Sequence, residues 1–125
     1  LTSLNTATSG AIDASGVTAI SFANAADLVA LIDDGTVTLA SNVNVTISTS
    51  TGAAAATDLT AIAAATSGTI NVSGAVTITG TAAAIVAAYG DSELASIDND
   101  FHATVTGSAA ATDLTAIATE TSGTI

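Results

Sequence analysis

The chain has 125 residues, no lysine or arginine, eleven acidic side chains and a formal charge of -11, a balance that excludes nucleic acid and anionic membrane surfaces as electrostatic partners. Apolar residues make up 49 % and charged residues 9 %, which excludes a disordered acidic tail, and the lack of cysteine excludes a disulfide framework or a thiol nucleophile. No apolar run reaches the length of a membrane span, and Leu1 opens no basic-then-apolar leader.

The first stretch, LTSLNTATSGAI, runs from Leu1 to Ile12. Ser15-Gly16 then interrupts an extended segment, as a hairpin turn or, better, as a corner between two short strands. Asn24 stands where a helix wants a capping side chain, and Gly35 where that helix ends. Next, Val43, Val45 and Ile47 alternate with Asn44, Thr46 and Ser48, the pattern of a strand with one face buried. From Ala55 to Gly80 a helical run, AATDLTAIAAATSG, with Leu59, Ile62 and Ala63 at three-to-four spacing, precedes TINVSGAVTITG. There Val76 and Ile78 alternate with Thr77 and Thr79 after a second Ser-Gly pair, Ser73-Gly74. From Thr81 to Gly107 the same order returns, TAAAIVAAYGD with Thr81 as cap, then SELASIDNDFHATVTG. Ser108 is placed to cap a last helix carrying Leu114, Ile117 and Ala118. Gly10, Gly35, Gly68, Gly90 and Gly123 all fall where a chain leaving a helix takes a left-handed residue. Helices of about 8 to 12 residues do not stand alone in water, so the strands must supply a surface for them.

The opening motif recurs as LTAIAAATSGTI from Leu59 to Ile70 and LTAIATETSGTI from Leu114 to Ile125, with AAATDLTAI at both Ala54 and Ala109. Each long period divides into two helix-and-strand halves, so the unit is about 27 residues, within the range of solenoid coils. The expected fold is α/β: a solenoid of such coils, each a short Ala-rich helix plus short parallel strands, stacked as a three-sided prism in the manner of leucine-rich-repeat or β-helix proteins. The array covers 1–125, as a partial coil 1–23, coils 24–51, 52–80 and 81–108, and a partial coil 109–125. The alanine face lets each helix sit close to the sheet, with Ala61 and Ala116 expected in that seam. No capping repeat is evident, there is no initiator Met, and Ile125 falls inside a motif, so the array reads as cut from a longer repeat protein or as joining other copies end to end.

The set LTAIAAATSGTI, VSGAVTITGTAAAI, LASID and ATVTGSAAATDLTAI resembles the Ala/Thr-rich tandem repeats of very large bacterial surface and secreted proteins, notably of the marine cyanobacterial type. The resemblance spans essentially the whole chain. It implies an extracellular or cell-surface location and an adhesin-like, surface-layer-like or filament-forming role, with self-association as the partnership and no catalytic motif. The function read from these features is a structural repeat module acting by self-association or adhesion. The alternative is a calcium-dependent or ice- or carbohydrate-lattice-binding module.

Several residues are candidates for chemistry. Asp98-Asn99-Asp100 resembles the start of a calcium loop, though the Gly and distal Glu such a loop needs are missing; the plainer reading is a solvated acidic turn. Asp33 and Asp91 follow their helices equivalently, as Asp58 and Asp113 sit equivalently within theirs, giving an acidic column or simply charge for solubility. Thr46, Ser48, Thr77, Thr79, Thr104 and Thr106 could line up as an exposed hydroxyl ladder of the kind ice-binding solenoids use, although Thr is also a good strand former. His102 is the lone histidine and has no partner set for metal or nucleophile chemistry. Asn44 and Asn71 begin glycosylation triplets.

Overall fold

The computed structural model describes residues 1–48, 52–73, 77–94, 97 and 99–125. Short helices alternate with short strands. In chain order they are α1 (Thr2–Ala7), β1 (Ile12–Ala14), β2 (Ala19–Phe22), α2 (Ala25–Asp33), β3 (Val37–Leu39), β4 (Asn44–Ser48) and β5 (Ala53–Ala55). Then come α3 (Ala56–Ala65), β6 (Ile70–Ser73), β7 (Thr77–Gly80), α4 (Ala82–Tyr89), a 3₁₀ turn at Ser92–Leu94, β8 (His102–Val105) and α5 (Ala111–Glu120).

Every strand pair among the described residues is parallel. One sheet has the order β1-β3, a second β2-β4-β6 and a third β5-β7-β8. Parallel neighbours need a crossover, and the helices provide it. The β1-to-β2 connection is a corner, because the two strands join different sheets. Val17 N–H donates to the Ala14 carbonyl at 3.0 Å, and the Asp13 carboxylate accepts the Ser15 N–H and hydroxyl at 2.9 and 2.6 Å. β6 and β7 likewise join different sheets, while Gly74 and Val76 lie outside the described residues.

Pairing partners are offset by 25 residues, Ile20↔Val45 and Val45↔Ile70 for example, or by 24 for Ala54↔Ile78. The spacing is thus shorter than the expected 27 or so. Self-similarity measures the distance between equivalent side chains, whereas pairing measures the chain needed to lie beside itself. The two differ because the ladders join non-equivalent segments: Ile12 and Ile70 match in sequence, yet β1 pairs with β3 and β6 with β4.

Alternation puts one face of each ladder inside. Ile20, Val45 and Ile70 are in register and buried, as are Ile47 and Val72 beside the half-buried Phe22. In the third sheet Ala54, Ile78 and Ala103 form the equivalent buried row. Against them pack Leu28 and Leu31 of α2, Leu59 and Ile62 of α3, Ile85 and Ala88 of α4, and Ile117 of α5. Full burial of one such aliphatic side chain contributes about 1.5–3 kcal/mol. The helices α2 to α5 pack each on the next. Ala56, Ala82 and Ala88 form the close seam, while Ala61 is exposed and Ala116 half-buried. In α3 the buried alanines are Ala56 and Ala63 instead of Ala61. No residue of α1 is buried; Asn5 ties it down, donating to the Asp34 carboxylate at 2.6 Å and accepting from the Thr36 hydroxyl at 2.6 Å.

The Asn24 and Thr81 side chains cap α2 and α4, accepting the Asp27 and Ala84 N–H groups at 2.9 and 3.2 Å. Ser108 is not a cap: α5 starts three residues later, after Ala110. Of the five glycines expected to be left-handed, only Gly35 has positive φ, at 68°. Gly90 is right-handed, and α3 and α5 end on extended Thr66 and Thr121. Gly68 and Gly123 are therefore required for another reason.

Candidate functional site

That reason is a clamp between chain segments, built from the recurring Thr-Ser-Gly-Thr. After α3 the Thr66 hydroxyl donates to the Val43 carbonyl at 2.7 Å and accepts the Gly68 N–H at 3.0 Å. Ser67 N–H donates to the Ser41 carbonyl at 2.8 Å, and Thr69 N–H donates to Asn44 Oδ1 at 2.9 Å. The Thr69 carbonyl accepts Val45 N–H at 2.9 Å, which leads directly into the β4-β6 ladder. The approach is close enough that a Cβ on Gly68 would lie 2.6 Å from the Val43 carbonyl carbon and 2.7 Å from the Asn42 oxygen. Only a residue without a side chain fits.

After α5 the arrangement repeats atom for atom. The Thr121 hydroxyl donates to the Phe101 carbonyl and accepts the Gly123 N–H, Ser122 N–H donates to the Asn99 carbonyl at 2.7 Å, and Ala103 N–H donates to the Thr124 carbonyl at 2.8 Å. Where Asn44 stood, His102 Nδ1 accepts the Thr124 N–H at 2.9 Å. Accepting that bond requires Nδ1 to carry no proton. A Cβ on Gly123 would meet the Phe101 carbonyl carbon at 2.7 Å and the Asp100 oxygen at 2.8 Å. Thr66 and Thr121 are buried polar residues, both fully engaged. The first copy makes the same local turn, with Gly10 N–H on the Thr8 hydroxyl at 3.1 Å, but a Cβ on Gly10 would meet nothing nearer than that hydroxyl at 3.5 Å.

The sequence-predicted residues fall around this frame. Thr46 is flanked by Ser21 and Asn71, and Ser48 by Ser73, in the second sheet. Thr77 lies between Ala53 and His102, and Thr79 between Ala55 and Thr104, in the third. Thr106 lies past β8, its N–H on the Gly80 carbonyl at 2.8 Å. Of the six, only Thr79 and Thr104 are lateral neighbours, so the hydroxyls do not form one continuous ladder. Asp98 lies outside the described residues; Asp100 is exposed in a turn. Among the described residues no three His, Cys, Asp or Glu side chains converge as a metal site. Asp58 and Asp113 occupy the first turns of α3 and α5, where the helix dipole favours an anion. Asp33 ends α2, while Asp91 follows the cap of α4. Asn44 of the first glycosylation triplet is committed to its clamp; Asn71 is exposed.

Four groups titrate away from their ordinary ranges. The Ser15 hydroxyl and N–H hold the Asp13 carboxyl low. A hydrogen bond with Glu93 raises Asp91, and the same bond, with the Ser92 hydroxyl, lowers Glu93. Burial raises the Tyr89 phenol, aided by the charges of Glu120 and Asp113.

Sequence reading missed the clamp. Its signal is the triplet Thr-Ser-Gly, kept in all three copies of the motif while the preceding residues change from NTA to AAA to ATE. The receiving segments, SNVN and NDFH, share too little to be matched by eye. Of the described residues, no helix is long and apolar enough to cross a membrane. No family model, curated protein or solved structure compared with the chain matches it.

Proposed function

We propose that the chain is a structural repeat module: a solenoid whose strands turn with a 24–25-residue period, belonging to an exported bacterial surface protein or extracellular filament and acting by self-association or adhesion. The observation that carries this reading is the clamp formed twice with equivalent atoms, at Thr66–Thr69 and Thr121–Thr124. One segment of each repeat receives the next by backbone hydrogen bonds and steric fit, so added repeats add equivalent interfaces. A charge of -11 with no lysine or arginine suits a solvated exterior and a cation-rich surrounding. Resemblance to the Ala/Thr-rich repeats of large bacterial surface proteins points the same way. Electron microscopy of the native material tests the proposal: regular rods or a lattice are expected, and isolated compact particles overturn it.

A further inference from the structure

The two occupied clamps differ at one acceptor, and the difference lies in chemistry, not geometry. In the first, the Asn44 amide oxygen accepts the Thr69 N–H at 2.9 Å. In the second, His102 Nδ1 accepts the Thr124 N–H at 2.9 Å and lies 2.7 Å from the Thr124 hydroxyl. An amide oxygen accepts at any ordinary pH, whereas an imidazole nitrogen accepts only while it carries no proton. Histidine is also the side chain whose charge changes between about pH 5 and 8.

The His102 side chain is exposed, so a proton reaches it without any opening of the fold. Among the described residues the Thr124 N–H has no other acceptor. Once Nδ1 takes up a proton, it turns a hydrogen towards that N–H, and the Thr124 hydroxyl, 2.7 Å away, is the atom there that can accept it. The backbone N–H is then left to water. Directly beside it, the Thr124 carbonyl accepts the Ala103 N–H at 2.8 Å, so a displacement of Thr124 is passed to the edge of β8. The charged groups around the ring are carboxylates: Asp100 two residues earlier on its own segment, Glu120 at the end of α5, and the chain end one residue past Thr124. Thr77, the lateral neighbour on β7, is uncharged.

We propose that His102 makes the second clamp proton-sensitive: neutral imidazole closes it and imidazolium opens it, while the Asn44 clamp stays closed throughout. The contribution of the bond is present above the imidazole range and lost as pH falls through it. The proposal rests on reading Thr121–Thr124 as an interface between repeats, one of which then loosens in acid while its sister holds. Clamp closure is read within a single chain and rod formation between chains, so the two readings fail separately.

Amide hydrogen exchange of the full chain, followed by NMR and corrected for the intrinsic rate at each pH, compares Thr124 with Thr69. Between about pH 7.5 and about pH 5, across the imidazole range, the protection of Thr124 relative to Thr69 should fall about fivefold, the worth of one hydrogen bond. Long-range proton–nitrogen spectra should show Nδ1 without a proton at the higher pH and with one at the lower. His102→Asn installs the acceptor of the first clamp and leaves Asp100, Glu120 and the chain end in place. It should hold the ratio flat, with circular dichroism confirming that the variant folds. A flat ratio in the wild type, a proton on Nδ1 at the higher pH, or the same fall in His102→Asn overturns the proposal.

Discussion

Replacing Gly68 by alanine isolates the clamp in a single methyl group. The φ of Gly68 is not in the left-handed region, so alanine can adopt the backbone, and any loss comes from the approach to Asn42 and Val43. The added Cβ, 2.6 and 2.7 Å from their atoms, forces the segments apart by several tenths of an ångström. That lengthens the bonds from Thr66 to Val43, Ser67 to Ser41, Thr69 to Asn44 and Val45 to Thr69. Each such bond contributes about 1 kcal/mol net. Losing most of them costs about 2–4 kcal/mol, offset by about 0.4–1 kcal/mol from the stiffer unfolded chain. Gly10→Ala is the matched control, in the same triplet but with open space around it, and should lie between neutral and about 1 kcal/mol stabilising. Urea unfolding followed by circular dichroism measures both. Equal shifts for the two variants would refute the clamp as the reason for the glycine.

Thr121→Val keeps the volume but strips the bond to Phe101 and the acceptor for Gly123; a loss of about 1–3 kcal/mol is expected, against little change for Thr8→Val, measured by the same unfolding assay. Ser15→Ala should raise the Asp13 carboxyl towards its ordinary value, read by NMR titration. The sign follows from the lowered folded-state value: the stabilisation is present above the ordinary aspartate range and lost as pH falls through the depressed one. For Tyr89 the sense is reversed, its raised value meaning stability retained below the ordinary phenol range and lost as pH rises through the elevated one. Glu120→Gln should bring the tyrosinate absorbance transition to lower pH without abolishing the upward displacement, because burial is the larger cause.

The parallel strands, the crossover helices and two of three caps were legible because each follows from local chemistry: alternation in Val43–Ser48, three-to-four spacing in Leu59–Ala63, and capping oxygens on Asn24 and Thr81. Ser108 misled because Ala109 and Ala110 match Ala54 and Ala55 of β5 and precede the helix, which begins at Ala111. The glycines misled for a deeper reason. A glycine after a helix serves either a left-handed turn or close approach, and only the partner segment, 22 to 26 residues away, decides which. Gly68 answers to Asn42 and Val43, and Gly123 to Asp100 and Phe101. The same non-locality broke up the hydroxyl row, since a 25-residue pairing offset sets Thr77 beside His102 rather than beside another threonine.

If the chain builds rods, its strands hydrogen-bond along the rod axis and lie across it. X-ray fibre diffraction from aligned native material should then show a reflection at about 4.8 Å on the meridian, the spacing of neighbouring strands. Finding that spacing on the equator, with strands running along the fibre, would contradict the stacking of repeats on which the account rests.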